Sequence, residues 1–158
     1  MISSNPPLIA VIGGSNCSEE DYAHAETVGR LIAENGGAVV CGGGGGVMEA
    51  ACKGAKNAGG VAIGILPGSD IREANPYVTT PIATGMGVGR NIIIIRSAQA
   101  VIAVDGKYGT LSEIAFALQF GKPVFALNSW NDIPGVQIVA SPEAAVKKAF
   151  ESIAAAKK

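Results

Sequence analysis

Short runs made up almost entirely of apolar residues and glycine alternate along this chain with segments of helical periodicity. Such runs occur at 8–14, 38–41, 61–68 and 100–106, and apolar residues spaced three or four apart recur between them. Strands with two apolar faces are typical of parallel sheets that helices cover on both sides. The alternation therefore predicts a single α/β domain, in which a doubly wound parallel sheet is sandwiched between helices.

Capping residues and helix breakers mark most of the predicted helices. Ser18 begins the first helix with Asp21 supporting the cap, and Ser141 followed by Pro142 begins the last one. A further helix is predicted over 47–58, between the glycines that precede and follow it. These boundaries separate the apolar runs cleanly, as a sheet with helical connections requires.

The segment 87–98 is ambiguous because its four consecutive isoleucines favour a strand by propensity. A strand directly before the run at 100–106 would leave no crossover element between two parallel strands. We therefore predict a buried helix over 87–98. Residues 123–127 predict another strand, and 69–85 predict a longer loop with room for one short strand.

Charge and composition exclude several classes of function. The 12 Lys and Arg face 13 Asp and Glu, and a pI near 5.8 lacks the basic surplus of a DNA- or RNA-binding domain. One histidine and three cysteines without CxxC spacing leave no zinc set and predict buried thiols in a reducing compartment. No leader pattern and no membrane-length apolar run occurs. We expect a cytoplasmic protein with a flexible tail at 1–7 and no metal, membrane or nucleic-acid partner.

Two glycine-rich turns lie where predicted strands end and helices begin. Five consecutive glycines at 42–46 follow one strand, and "DGKYGT" at 105–110 follows another. Glycine lets backbone N–H groups approach an anion closely, and a helix N-terminus adds partial positive charge. Because doubly wound sheets bind ligands beyond the carboxyl ends of their strands, the turns predict a cleft for a phosphorylated ligand. The alternative is that 42–46 form only a tight turn, for which one or two glycines suffice.

The predicted phosphate- and nucleotide-binding residues come from three strand ends and the helices that follow them. They are Gly13, Gly14, Ser15, Gly42, Gly43, Gly44, Gly45, Met48, Asp105, Gly106, Lys107, Tyr108, Gly109 and Thr110. Generic nucleotide motifs do not match. Val47 stands where GxGxxG needs its last glycine, and neither Lys107 nor Lys122 is followed by the Ser or Thr of a Walker A loop.

Arg90 and Glu113 are the residues predicted to carry chemistry. Arginine is unfavourable near a helix N-terminus unless an anion lies close, so Arg90 indicates an anion more than a surface ion pair. Glu113 has two interpretations, a capping-box partner of Thr110 or a reactive carboxylate in the cleft. Asp105 has two interpretations, a hydrogen bond to a ribose hydroxyl or one to the following turn. Lys107 is interpreted either as a phosphate-binding cation or as a solvated surface residue.

Three longer stretches carry motifs in a specific order and spacing. They are "GGGGGVMEAACKGAKNAGG" from 42, "GRNIIIIRSAQAVIAVDGKYGTLSE" from 89 and "IAFALQFGKPV" from 114. These stretches resemble the LOG-type Rossmann proteins, a family long mislabelled as lysine decarboxylases. Residues 105–113 occupy the place of the family's PGGxGTxxE hallmark, and Arg90 occupies that of its catalytic arginine.

The resemblance implies a Rossmann-like fold and hydrolysis of the N-glycosidic bond of a nucleoside 5′-monophosphate, with no cofactor required. In that reaction Glu113 would stabilise the oxocarbenium-like ribose or activate water, Arg90 would orient the substrate, and the turn at 106–110 would hold the phosphate. A pyridoxal-dependent lysine decarboxylase is not expected, because nothing in the chain suggests a pyridoxal site.

The match to the family hallmark is incomplete. Asp105 replaces the hallmark's proline, Lys107 replaces its second glycine, and Asn91 replaces the lysine that usually follows the arginine. More narrowly, the chain is similar to a small bacterial branch related to molybdenum-cofactor carrier proteins, which bind a phosphorylated pterin without turning it over. Two hypotheses follow: a nucleoside 5′-monophosphate phosphoribohydrolase, or a non-catalytic carrier of a phosphorylated pterin such as the molybdenum cofactor.

Kinship also implies a homodimer or a larger homo-oligomer, because LOG-type proteins assemble partly through the helices next to the site. The isoleucines at 92–95 offer more apolar surface than one sheet face needs, which is compatible with burial between subunits.

Overall fold

Seven parallel strands form one sheet in the computed structural model, which describes residues 5–158. The strands are β1 (Leu8–Gly13), β2 (Ala38–Cys41), β3 (Ala62–Leu66), β4 (Thr80–Ala83), β5 (Ala100–Val104), β6 (Val124–Leu127) and β7 (Val136–Ile138). Their order across the sheet is β4-β3-β2-β1-β5-β6-β7, and every neighbouring pair is parallel. The doubly wound α/β fold predicted from the sequence is confirmed.

Helices cover both faces of this sheet. They are α1 (Glu19–Glu34), α2 (Val47–Asn57), α3 (Asn91–Ser97), α4 (Tyr108–Gln119) and α5 (Pro142–Ala156). The helices α1, α2 and α5 pack on one face, and α3 and α4 pack on the other. In β1, Ile9 and Val11 join the first core, whereas Ala10 and Ile12 join the second. Burial on both faces is the reason that the five central strands, β1, β2, β3, β5 and β6, consist of apolar residues and glycine.

The direction of winding reverses beside β1. The chain proceeds outward from β1 to β4 on one side and then returns to β5, which pairs with the opposite edge of β1. The carboxyl ends of β1 and β5 therefore border a topological switch point, where sheets of this kind bind ligands. Gly13 ends β1 so close to β5 that a Cβ there would lie 2.1 Å from the carbonyl oxygen of Val104.

The isoleucine-rich segment is helical, as the crossover argument predicts. Gly87–Arg90 forms one turn of 3-10 helix that continues directly into α3. Ile94 and Ile95 are buried in the core between α3 and the sheet, whereas Ile92 and Ile93 are half-buried. Part of the apolar surface attributed to a subunit interface is therefore used within the chain, and the homo-oligomer stays a prediction.

The sequence does not predict β7, and it predicts β4 only as a short strand inside a loop. Both strands lie at edges of the sheet. Two of the three residues of β7 are exposed, and exposure alternates along β4. Strands with so few buried positions have no continuous apolar run, so periodicity alone does not reveal them.

Residues 1–4 of the predicted flexible tail lie outside the part of the chain that the structure describes. Within the described part, the carbonyl oxygen of Pro7 accepts a hydrogen bond from the amide of Ala38 at 2.9 Å, which ties the end of the tail to β2. From residue 5 onward, the helices are too short or too polar to cross a membrane.

Candidate functional site

A cleft of about 270 Å³ opens at the switch point, beyond the carboxyl ends of β1 and β5. Its wall comes from the end of β1, the start of the glycine run, the 3-10 turn and the start of α4. The lining residues are Val11, Ile12, Gly13, Gly14, Ser15, Asn16, Gly42, Met48, Val88, Arg90, Asn91, Lys107, Gly109, Thr110 and Glu113. The structure thus brings together Arg90, Glu113 and residues from both glycine-rich turns.

Some predicted binding residues lie outside this lining. They are Gly43, Gly44, Gly45, Asp105, Gly106 and Tyr108. The side chain of Tyr108 is 82% exposed, and its ring centroid lies 6.3 Å from that of Trp130. Conversely, the sequence analysis did not assign Ile12, Asn16, Val88 and Asn91 to the cleft wall. Val88 and Asn91 lie within two residues of Arg90. The motif around this arginine is therefore the sequence signal by which they could have been found.

Close packing explains most of the glycine run. A Cβ on Gly46 would lie 2.3 Å from the carbonyl oxygen of Gly14, and a Cβ on Gly43 would lie 2.4 Å from the Leu66 side chain. Both glycines also have positive φ, +61° and +72°. The hypothesis that the whole run forms the floor of the cleft is therefore corrected. Gly42 lines the cleft, and the glycines after it allow the turn to pack against its neighbours.

Two amides in and next to this first turn are used internally. The amide of Gly43 donates to the Sγ of Cys41 at 3.3 Å, and the amide of Val47 donates to the carbonyl oxygen of Gly14 at 3.0 Å. The Sγ atoms of Cys41 and Cys52 lie 3.4 Å apart behind the turn, and both thiols are buried and free, as predicted. The hydrogen bond with Cys52, together with burial, raises the pKa of Cys41 well above its ordinary value.

The second turn keeps its amides available. No hydrogen bond from the amides of residues 106–110 occurs in the described chain, and the first bond of α4 runs from Leu111 to the carbonyl oxygen of Lys107 at 2.9 Å. The indole of Trp130 donates to the same carbonyl at 3.1 Å and holds the turn in place. Unpaired amides at the start of a 12-residue helix attract anions, because the peptide dipoles add to the hydrogen bonds on offer.

Asp105 supports the second turn from behind. Its φ of +54° is left-handed, and its carbonyl oxygen accepts a hydrogen bond from Ser129 at 2.6 Å. Its carboxylate lies against Gly14, where a Cβ would be 2.8 Å from Oδ2. The turn-forming interpretation of Asp105 has these contacts in its favour.

Arg90 is held in the wall of the cleft by neutral acceptors. Its Nε donates to the carbonyl oxygen of Ile65 at 2.9 Å, its Nη2 donates to that of Gly42 at 3.5 Å, and its Nη1 donates to the Oδ1 of Asn91. Desolvation lowers the pKa of the half-buried guanidinium, and the negative charge of Glu113 partly opposes this. No carboxylate of the described chain forms a salt bridge with Arg90, so the surface-ion-pair alternative is wrong.

Glu113 is not a capping residue. The helix α4 begins at Tyr108 with Lys107 at its N-cap, so Thr110 lies inside the first turn and makes no side-chain cap. Sequence reasoning placed the cap three residues too late. The side chain of Glu113 is 8% exposed and lines the cleft. Desolvation raises the pKa of its carboxyl to about 7, although the charge of Arg90 acts in the opposite direction.

Asn91 connects Arg90 to the start of α4. It is 6% exposed, and its Nδ2 lies 3.5 Å from the Oγ of Ser112, which in turn donates to the carbonyl oxygen of Gly109 at 2.6 Å. An amide side chain suits this place because it accepts from the guanidinium and donates to the hydroxyl. Among the described residues, no group of three His, Cys, Asp or Glu side chains could hold a metal ion.

The architecture and the position of the cleft define a Rossmann-like α/β protein whose candidate ligand site lies at the switch point of its sheet. The chain belongs to the SLOG cluster4 family, whose model matches residues 6–155. An uncharacterised protein of Archaeoglobus fulgidus is 48% identical over 145 residues, which cover 91% of this chain and 95% of that protein.

Two solved structures are similar over nearly the whole chain. The molybdenum cofactor binding protein from the phototrophic bacterium Rippkaea orientalis has a TM-score of 0.89 and 36% identity, covering 96% of this chain and 99% of that one. The Moco carrier protein from Chlamydomonas reinhardtii has a TM-score of 0.87 and 34% identity, again covering 96% and 99%. The LOG-type resemblance and the likeness to the carrier branch are confirmed.

Proposed function

We propose that this protein binds a phosphorylated pterin, such as the molybdenum cofactor, and holds it without turning it over. The observation that carries the proposal is the start of α4, where the amides of residues 106–110 have no partner in the described chain and Lys107, Gly109 and Thr110 line a cleft of about 270 Å³. The likeness to the two molybdenum cofactor proteins supports a pterin over other phosphorylated ligands. Of the two hypotheses from the sequence, the comparisons favour the carrier.

The phosphoryl group would lie at the exposed mouth of the cleft. Lys107 and Gly109 are exposed lining residues there, so an oxyanion can reach both the amides and the ammonium group. The carboxylate of Asp105 is not part of the lining but lies against Gly14, which is, so the charge of Lys107 has to offset its repulsion of an oxyanion. Lys107 and the helix dipole therefore act together on the phosphate.

A second candidate function is the phosphoribohydrolase. The observation that favours it is the buried carboxyl of Glu113, whose pKa of about 7 is suited to proton transfer near neutral pH, next to the guanidinium of Arg90. In this case Glu113 would activate water or stabilise the ribose cation, and Arg90 would orient the nucleotide. The departures at Asp105, Lys107 and Asn91 count against it.

Two assays test the proposals together. Melting temperatures are measured with 6-hydroxymethylpterin monophosphate, GMP, AMP and inorganic phosphate, and the same nucleotides are then incubated with the protein to detect free base. A carrier should be stabilised most by the pterin phosphate and release no base. Release of base that disappears in Glu113→Gln would instead support the hydrolase. If no compound of the panel raises the melting temperature above the value with phosphate alone, the binding proposal is wrong.

A further inference from the structure

Glu113 is a buried acid that the protein itself leaves without a hydrogen-bond partner. Its side chain is 8% exposed, and no described residue donates a hydrogen bond to either carboxylate oxygen. Arg90 acts on it through charge but forms no salt bridge with it. Its carboxylate oxygens are open to the cleft, since His24 Nδ1 is the one fully enclosed side-chain polar atom without a partner among the described residues. A group that lines a cleft in this state is available to pair with a bound molecule.

The positive charge of Arg90 favours the ionised form of Glu113, against the desolvation that raises the pKa of this carboxyl. Arg90 faces it from the 3-10 turn, and Lys107 lies at the mouth of the same cleft. Cys41, on β2, also interacts electrostatically with Glu113, and its raised pKa keeps the thiol neutral. Asp105 lies outside the lining, against Gly14. Glu113 is therefore the acidic group of a cleft whose other charged groups are cations.

We propose that Glu113 recognises the ring of the ligand by accepting two hydrogen bonds from adjacent N–H and NH2 groups of a 2-amino-4-oxo ring. Pterin and guanine share this edge, whereas adenine and hypoxanthine do not carry both donors. A carboxylate matches such an edge with two parallel hydrogen bonds, in the same way that it pairs with a guanidinium. The inference rests on the proposed binding function and specifies which rings the cleft accepts.

The positions of the two polar regions fit a ligand with a phosphate at one end and a ring at the other. Glu113 follows Lys107 by six residues, which corresponds to about 9 Å along the helix axis. Lys107 and Gly109 are exposed, whereas Glu113 is buried. The phosphate therefore lies at the mouth and the ring deeper in the cleft, where water competes less for the hydrogen bonds.

The test compares ligand pairs that differ only at the 2-position. GMP is compared with IMP, and 6-hydroxymethylpterin monophosphate is compared with its 2-oxo (lumazine) counterpart, by isothermal titration calorimetry at pH 8. We expect the 2-amino member of each pair to bind the wild type about tenfold to a hundredfold more tightly, as a lost pair of hydrogen bonds in a recognition site would cause. In Glu113→Gln, a near-isosteric change, this preference should fall to about threefold or less.

The pH dependence of the same ratio is a second readout. Because two acceptors require the ionised carboxylate, the GMP preference should weaken between pH 8 and pH 6, while that of Glu113→Gln stays flat. GMP and IMP share the same phosphate, so its titration cancels in the ratio. The ratio of dissociation constants within the pterin pair is then compared with the ratio within the purine pair. The larger ratio identifies the ring whose 2-amino edge fits the cleft better.

The outcomes separate this inference from the function on which it rests. Equal binding of both members of each pair to the wild type would overturn the role of Glu113 and leave phosphate-ligand binding intact. An undiminished preference in Glu113→Gln would also overturn it, since another group would then make the distinction. Binding by none of the four compounds would overturn both proposals.

Discussion

The turn at 42–46 has five glycines and contributes one residue to the cleft, whereas the turn at 105–110 has two glycines and contributes three. The first turn packs against Gly14, Leu66 and Met48 and uses amides in and beside it internally. The second is held from behind by Ser129 and Trp130, and its amides at 106–110 have no partner in the described chain. A high glycine count in this protein reflects how closely segments approach each other, and unpaired amides that also border the cleft mark the candidate anion site.

The comparison also separates stability from binding. A substitution at Gly46 in the first turn acts on the fold, because a side chain there would collide with the backbone of Gly14. Substitutions at Lys107 and Gly109 in the second turn act on a ligand, because both residues line the cleft and a Cβ on Gly109 meets nothing within 4 Å. The following predictions test this division, from the largest effect to the smallest.

Gly46→Ala should lower the free energy of unfolding by about 3 kcal/mol. The new Cβ would lie 2.3 Å from the carbonyl oxygen of Gly14, and the φ of +61° would be strained for alanine. Gly109→Ala in α4 is the matched control, since a Cβ there meets nothing within 4 Å. It should instead raise stability by about 0.5–1 kcal/mol, as expected for a helical glycine replaced by alanine. Urea denaturation measures both, and equal midpoints would contradict the division.

Glu113→Gln should stabilise the protein at alkaline pH. The folded-state pKa of about 7 lies above the ordinary value of 4.5 for a glutamate, so unfolding releases a proton and wild-type stability falls as the pH rises between these values. Above pH 7 the loss approaches 3 kcal/mol, at about 1.4 kcal/mol per pKa unit. The variant should therefore equal the wild type near pH 4 and exceed it at pH 8. Glu151→Gln, which removes a carboxylate at an exposed position, is the matched control variant. Parallel stability profiles for the wild type and Glu113→Gln would show that burying the ionised Glu113 carboxylate does not destabilise the protein.

Lys107→Gln should weaken binding of a phosphorylated ligand about fivefold at low ionic strength, because one cation at the mouth of the cleft is lost. The effect should shrink at high salt, since the group is exposed. Lys147→Gln is the control with the same change in net charge, at an exposed position on α5 outside the cleft. Titration calorimetry at two salt concentrations checks this, and equal losses in the two variants would assign the effect to net charge instead of position.

The fluorescence of Trp130 should report ligand binding with a small, saturable change. It is the chain's single tryptophan, and its indole donates to the carbonyl oxygen of Lys107 at the turn where we place the phosphate. The midpoint of the change should shift to higher ligand concentration in Lys107→Gln. Unchanged emission at ligand concentrations that raise the melting temperature would place the ligand away from the second turn.

The central part of the fold could be predicted because each buried strand is a consecutive run of apolar residues in the sequence. Runs such as 38–41 and 100–104 are apolar on both faces, and this pattern can be recognised from the sequence of each run alone. The edge strand β7 could not be predicted, since most of its residues are exposed. The helix at 91–97 was recoverable only through topology, because isoleucine propensity alone favours a strand.

The candidate site was predictable as a set of residues more than as an arrangement. Motif order placed Arg90, Glu113 and the second turn together, and the cleft contains all three. The capping-box interpretation of Glu113 was wrong because α4 starts earlier than the Thr110 signal indicates. The cytoplasmic location, the absence of a nucleic-acid partner and the oligomeric state stay predictions.

Sequence by itself determined the layers of this protein and the strand ends at which a ligand would bind, because periodicity and turn chemistry are local properties of the chain. Tertiary structure alone decided that Gly43 and Gly46 serve packing, that Arg90 is held by carbonyl oxygens, and that Glu113 is buried without a partner. The physical reason is that desolvation and hydrogen bonding of a side chain depend on groups that are distant in the sequence, such as Ile65 for Arg90.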